Sequence, residues 1–292
     1  MKILKDKNDV IDLRIRQVSV DEGVEKTPLN ALRSITINGS EMCNRKCHFC
    51  PRSDPKVYPN QKLFITPETI ANLSKQLKKI NYKGAVVWSG NGEPMMTRNL
   101  MEMTKHLRDE NPQISRQEIN TNGDYLTSEK IQKLYDSGID NIIVSLYDGP
   151  EQLEKTKKKF ENFDKNKYSL RISYYHSDNF ENFSNRAGAV QMNMEKNKSN
   201  YKNKCFWPFY KMVLDWDGGV LLCCEDWFKL SRNFPNNKFN INTHTIEEIW
   251  DSDFLNEYRS YLKEGNRSKT VCNKCNMNGE KVGGEFVEYF DV

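Results

Sequence analysis

Cys43-Asn44-Arg45-Lys46-Cys47-His48-Phe49-Cys50 carries three thiols in eight residues, and their number governs how the rest of the chain is read. A structural zinc site closes its tetrahedron with four protein ligands. Three thiolates spaced CxxxCxxC instead suit a [4Fe-4S] cluster whose fourth iron is left open to another ligand. The remaining cysteines are Cys205, Cys223, Cys224, Cys272 and Cys275, so none lies between residues 51 and 204.

Outward from this loop the chain settles into a strand–helix rhythm. A short strand, Ser34–Ile37, feeds the cysteines. Thr66 caps a helix with Pro67 in its first turn that runs to Ile80. Ala85–Trp88 reads as a buried strand, followed by a helix near Asn99–Asp109. Gln117–Asn120 is the third strand, and Thr127-Ser128-Glu129-Lys130 opens a helix that ends at Gly138. Asn141–Leu146 is the fourth strand, a charged helix covers Pro150–Phe163, and Tyr168–Tyr175 is the fifth strand. Strands alternating with helices imply a parallel sheet and an α/β fold. Parallel barrels place their chemistry at the C-terminal strand ends. Those ends here are Ser89-Gly90-Asn91-Gly92-Glu93-Pro94, Asn120-Thr121-Asn122-Gly123 and Val144-Ser145-Leu146-Tyr147-Asp148.

Residues 1–33 are polar and weakly patterned and read as an N-terminal arm; residues 177–204 break the rhythm and read as a linker. Beyond it, Met212–Trp216 and Val220–Cys223 form a hairpin around Asp217-Gly218-Gly219. Thr245–Leu262 reads as one amphipathic helix with Ile246, Ile249, Trp250, Phe254, Tyr258 and Leu262 on one side. This unit is too small to hold itself without a staple. Cys205, Cys223, Cys272 and Cys275 make a full four-thiolate shell, which an iron–sulfur cluster or a zinc ion would equally use. Neighbours in a strand point to opposite faces, so Cys223 and Cys224 cannot both face that shell.

The CxxxCxxC loop with its aromatic Phe49 and the Gly92-Glu93-Pro94 end of the second strand resemble the radical S-adenosylmethionine (SAM) superfamily. The later cysteines, spaced as Cys205, Gly218, Cys223 and Cys272-x-x-Cys275, resemble the short "twitch" form of the SPASM extension. The resemblance implies a partial (β/α)5-6 barrel over residues 34–176, shortened because only five units are clear, and an auxiliary-cluster domain over 205–292. It also implies SAM and two [4Fe-4S] clusters as cofactors, with Cys43, Cys47 and Cys50 on the first cluster and Cys205, Cys223, Cys272 and Cys275 on the second. Phe49 then lies against the adenine, Gly92 and Glu93 hold the SAM ammonium, Asn122 meets the ribose, and Ser145 faces SAM. Asn91 stands where the superfamily has its first glycine, and Asn tolerates left-handed backbone better than most residues. Asn185-Arg186-Ala187-Gly188 is similar to a run found in twitch and SPASM proteins, so Arg186 is expected to pair with the SAM carboxylate or fix a substrate oxygen. Cys224 is the odd thiol, either packing or a hydrogen-atom donor. Tyr174, Tyr175 and His176 are candidate substrate contacts.

The implied reaction is that of a 5′-deoxyadenosyl radical taking hydrogen from a substrate C–H bond. With a fully ligated second cluster as electron acceptor, the outcome is two-electron oxidation of a sugar or cyclitol alcohol. Three other readings stay open: a peptide maturase, for which 33 residues before the barrel are too few to form a leader-recognition domain; a sugar epimerase using Cys224; and a non-catalytic zinc protein. The partners expected are a small molecule, or a peptide in the maturase reading, and a reductant such as flavodoxin or ferredoxin. A formal charge of +4 over 292 residues makes no case for nucleic acid. Neither a signal segment nor a run of membrane-spanning length is present, and eight cysteines suit metal binding in the cytoplasm better than disulfides.

Overall fold

Side chains alternate along each strand, apolar on one face and more polar on the other, and this pattern builds a sheet with helices outside and a cavity inside. The computed structural model describes residues 1–19, 23–174, 184–190 and 203–292. The chain opens with β1 (Lys2–Leu4), α1 (Lys7–Val18) and α2 (Pro28–Ala31). Four strand–helix steps and a fifth strand follow: β2 (Ser34–Ile37), α3 (Pro67–Lys79), β3 (Ala85–Trp88), α4 (Leu100–Glu110), β4 (Arg116–Thr121), α5 (Ser128–Asp136), β5 (Asn141–Leu146), α6 (Pro150–Lys159) and β6 (Tyr168–Ile172). The C-terminal part holds α7 (Trp207–Tyr210), β7 (Lys211–Leu214), β8 (Val220–Leu221), α8 (Ile246–Trp250) and α9 (Asp253–Lys263).

All eight strands belong to one sheet, in the order β1-β6-β5-β4-β3-β2-β7-β8. Every pairing is parallel except β7 with β8. Ile35, Ile37, Val86, Trp88, Ile119, Ile142, Val144 and Leu170 face the helices and are fully buried. Thr36, Val87, Asn120, Ser145 and Arg171, on the opposite face, line the internal cavity. The Thr66 and Thr127 caps form as their sequence indicates, each hydroxyl accepting from the N–H three residues on.

Three expectations are corrected. The N-terminal arm is structured: β1 extends the sheet beside β6, and Leu4 packs with Leu13 of α1 against Ile143. Its signal was weak because β1 has three residues and α1 is mostly polar, so neither shows a strong apolar stripe on its own. The sheet is also not shortened. β7 pairs in parallel with β2, Ser34 opposite Lys211 and Ile37 opposite Leu214, so the cluster domain completes the barrel's other edge. Finally, Thr245–Leu262 is two helices. Ser252 ends α8 by donating its hydroxyl to Ile249 O and caps α9 by accepting from Leu255 N–H. The six apolar residues expected on one side are all buried despite the break. Among the described residues, no helix is long and apolar enough to cross a membrane.

Candidate active site

The cysteine loop is pinned from both sides by charged and amide groups. Asn60 holds Cys43 through its own amide, Oδ1 accepting from Cys43 N–H at 3.0 Å and Nδ2 donating to Cys43 O at 2.9 Å. Buried Arg52 ties Glu41, at 2.9 Å, to Asn60 Oδ1 and Asn91 O. On the other side Arg45 makes paired hydrogen bonds to Asp124 and to Asp148, which follow β4 and β5. Bidentate pairs of this kind fix orientation as well as distance. Arg45 therefore locks the loop between Cys43 and Cys47 onto the strand ends.

The β3 end is packed onto the same loop by main-chain contact. A Cβ at Gly92 would stand 2.0 Å from Ser40 O and 2.7 Å from Met42 O, so only glycine fits. Glu93 N–H donates to Met42 O at 2.8 Å. Asn91 does not adopt left-handed backbone; its value lies in its amide, which donates to Tyr58 Oη, while its N–H donates to Asn38 Oδ1. The Glu93 carboxylate accepts from Thr121 Oγ at 2.5 Å, Asn122 N–H at 2.9 Å and Met95 N–H at 3.1 Å. Burial pushes its pKa up, and these three donors pull it back. One of the carboxylate's four acceptor positions is left for a ligand cation. Asn122 uses both ends of its amide within the protein, donating to Asn44 Oδ1 and accepting from Asp124 N–H. Ser145 Oγ accepts from Arg171 at 2.7 Å, and the Phe49 ring lies 5.1 Å from that of Tyr147.

One cavity of about 340 Å³ gathers these groups: Cys43, Cys47, Cys50 and Phe49, then Gly92, Glu93, Asn122 and Ser145, and finally Arg186 and Cys224. Burial pushes the Cys47 thiol up to about 12, and Cys43 and Cys50 move the same way for the same reason. Raised in this way the thiols stay protonated on their own, whereas cationic iron supplies the charge that favours thiolate. The three thiols and the open cavity beside them fit a cluster with one iron exposed to SAM.

A second, smaller cavity collects Cys205, Cys223, Cys272 and Cys275. None of the eight cysteines is in a disulfide. Cys223 is raised well above an ordinary thiol by burial and then by the neighbouring Cys224, Cys272 and Cys275. Four cysteines lining one small cavity are the donor set that a fully ligated cluster takes, and its cationic core would favour their thiolate form. Cys224 lines the large cavity instead; the expected strand Val220–Cys223 ends at Leu221, so the two thiols part in the turn that follows β8.

Asn185-Arg186-Ala187-Gly188 runs from the large cavity to the loop that carries Cys272 and Cys275. Asn185 and Asn276 exchange hydrogen bonds between side chain and main chain, and Asn185 Nδ2 donates to Lys274 O at 2.7 Å. Arg186 and Ala187 both have φ +51°, a left-handed bend stabilised by that docking onto the Cys272–Cys275 loop. Arg186 then reaches buried Glu225 at 3.2 Å and faces the cavity. Tyr174 lines neither cavity, and Tyr175 and His176 lie outside the described residues. The sequence reading missed Arg14, Arg171 and Lys211, all on the wall of the large cavity. Arg171 and Lys211 had a usable signal, since each is a cation at an inward position of an alternating strand.

The radical SAM superfamily model matches residues 37–173, and the iron-sulfur cluster-binding SPASM domain model matches residues 205–276. The chain is 30% identical over 247 residues to the S-adenosyl-L-methionine-dependent 2-deoxy-scyllo-inosamine dehydrogenase of Niallia circulans, across 83% of this chain and 92% of that protein. The crystal structure of BtrN in complex with AdoMet and 2-DOIA matches with TM-score 0.71 and 27% identity, over 89% of this chain and 98% of that one. Streptococcus suis SuiB bound to precursor peptide SuiA shares the fold at TM-score 0.57 and 14% identity, over 89% of this chain and 71% of that one. A barrel whose strand ends meet a three-cysteine loop, a second four-cysteine cavity and these matches lead to one assignment: the chain belongs to the radical SAM superfamily, as an oxidoreductase with a twitch-type SPASM domain that uses S-adenosyl-L-methionine and two [4Fe-4S] clusters.

Proposed function

We propose that the protein oxidises a secondary alcohol of a small polyol, a cyclitol or sugar, to the ketone, with the second cluster taking an electron. The observation that carries this reading is the position of one dipeptide. Cys224 lines the large cavity while Cys223 lines the small one with Cys205, Cys272 and Cys275. Four thiolates leave no iron of that cluster for a substrate ligand, so electron acceptance is the role open to it beside the cavity wall. The inosamine dehydrogenase activity of the Niallia circulans relative supports the same substrate class.

SAM held at the Cys43/Cys47/Cys50 cluster supplies a hydrogen-atom acceptor strong enough for an unactivated C–H bond, chemistry that no side chain has. The residues do the rest. Glu93 and the Gly92 main chain hold the ammonium, Asn122 and Ser145 border the nucleoside, and Phe49 lies along the adenine. Arg186, braced by Glu225, fixes a carboxylate or a substrate oxygen. Trp207 and Trp227 add apolar wall to the cavity. The carbinol carbon loses a hydrogen atom, its hydroxyl loses a proton to a base, and one electron leaves toward Cys223, two electrons in all. On this reading the radical SAM unit spans 34–176, its sheet extended by β1 on one edge and β7 on the other, with the linker 177–204 and the cluster domain 205–292. A flavodoxin or ferredoxin supplies the priming electron in a reducing cytoplasm.

The test is a polyol deuterated at the reacting carbon, incubated with reconstituted enzyme, SAM and dithionite. One deuterium should enter 5′-deoxyadenosine for each ketone formed. Inversion at that carbon without ketone would instead identify an epimerase.

A further inference from the structure

Within the large cavity the described charges do not balance. Arg45 is paired with Asp124 and Asp148, Arg52 with Glu41, and Arg186 with Glu225. Among the carboxylates nearby, Asp6 caps α1, and Glu93, held by the three donors described above, keeps its open position for the SAM ammonium. Glu118 is held by Arg116, Gln17 and Asn141. Three cations remain: Arg14 on α1, Arg171 near the end of β6 and Lys211 opening β7. Among the described residues none of them has a carboxylate partner. Arg14 and Lys211 both sit over the Trp207 ring, at 5.5 and 5.3 Å from its centre. Arg171 donates to Ser145 Oγ, and its buried Nε has no acceptor among the described residues. Burial lowers the pKa of both Arg171 and Lys211, and the charge of Arg14 lowers each further. Arg14 and Lys211, which share the Trp207 ring, form one cluster, while Arg171 stands beside Ser145 at the strand ends, on the SAM side of the cavity. Like charges gathered out of water are costly unless an anion is seated among them.

We propose that this cluster docks an anionic group of the substrate, a phosphate or a carboxylate carried on the polyol. The inference rests on the reading that the oxidised substrate occupies this cavity. Lys211 lies opposite Ser34, the first residue of β2, whereas Gly92 and Glu93 follow the last residue of β3. The anion is therefore seated toward the barrel floor, away from the groups that hold the SAM ammonium. A protonated amine on the substrate would meet two like charges there.

The test titrates inorganic phosphate, and separately malonate, into the SAM-loaded, cluster-reconstituted enzyme, read by heat and by tryptophan fluorescence. Saturable binding at one site is expected, weakened at least tenfold in an Arg14→Gln/Lys211→Gln variant whose iron content and SAM affinity are unchanged. An Arg14→Lys/Lys211→Arg variant, which keeps both charges, should recover most of it. Tighter binding of phosphate or of malonate distinguishes the two anions. No saturable site, or a site indifferent to the Gln variant, overturns the proposal. So does SAM affinity falling in step with the anion's, which would assign the cations to the SAM carboxylate. None of these readouts needs turnover. Anion binding without ketone from any phosphorylated or carboxylated polyol defeats the dehydrogenase reading alone, and ketone from an aminocyclitol in an enzyme lacking the anion site defeats this inference alone.

Discussion

Replacing Gly92 with Ala puts a methyl carbon 2.0 Å from Ser40 O and 2.7 Å from Met42 O. Both are main-chain atoms in the segment leading into Cys43, so neither can rotate aside. Gly92 is not left-handed, and the cost is therefore one of contact rather than conformation. Carbon contacts shorter than 3.0 Å are essentially never seen, so the 89–93 loop has to withdraw by about 1 Å, the difference between 3.0 and 2.0 Å. Withdrawal breaks the 2.8 Å bond from Glu93 N–H to Met42 O. Overpacking costs about 1–3 kcal/mol and the lost hydrogen bond about 1 kcal/mol. The apo protein should accordingly lose about 2–4 kcal/mol in urea denaturation. A 1 Å displacement of a positioning loop costs about 100-fold in rate. Formation of 5′-deoxyadenosine should therefore fall by about that factor, with weaker SAM binding in equilibrium dialysis. Wild-type SAM affinity and cleavage in Gly92→Ala would refute the idea that main-chain contact between these two loops positions SAM.

Changing Cys43, Cys47 or Cys50 to Ala should abolish reductive SAM cleavage while the second cluster still assembles, as judged by iron content and 5′-deoxyadenosine release. Glu93→Gln presents an amide N–H₂ where the carboxylate now accepts from Thr121 and Met95 or from Asn122, so SAM binding should weaken about tenfold or more with both clusters retained; unaltered affinity in a binding titration counts against the assignment. Cys223→Ala should lose about half the bound iron, one of two four-iron clusters, and make no ketone while still cleaving some SAM. Cys224→Ala should keep its iron and most of its turnover. If it keeps both clusters and cleaves SAM yet loses product, Cys224 is a hydrogen-atom donor and the enzyme an epimerase.

The three-thiol loop was legible because ligand spacing is a local property: CxxxCxxC brings its sulfurs together whatever the rest of the chain does. The strand–helix steps from Ser34 to Ile172 were legible for a similar reason, since apolar periodicity and the caps at Thr66 and Thr127 act within one or two turns. Cys223 and Cys224 do line different cavities, but both lie past the end of β8, so the turn there and not strand alternation parts them. What only the tertiary structure decided depends on residues far apart in sequence. β7 joins β2 across more than 170 residues, and parallel pairing leaves no local mark in either strand. The clamp at Arg45 needs Asp124 and Asp148, 79 and 103 residues away on two different strand ends. β1 and α1 have little pattern of their own, so the barrel had to be present before Arg14 could be seen on its cavity wall with Arg171 and Lys211. Local spacing thus specified the cofactor chemistry, whereas the walls that meet the substrate come from segments brought together only when the sheet closes around them.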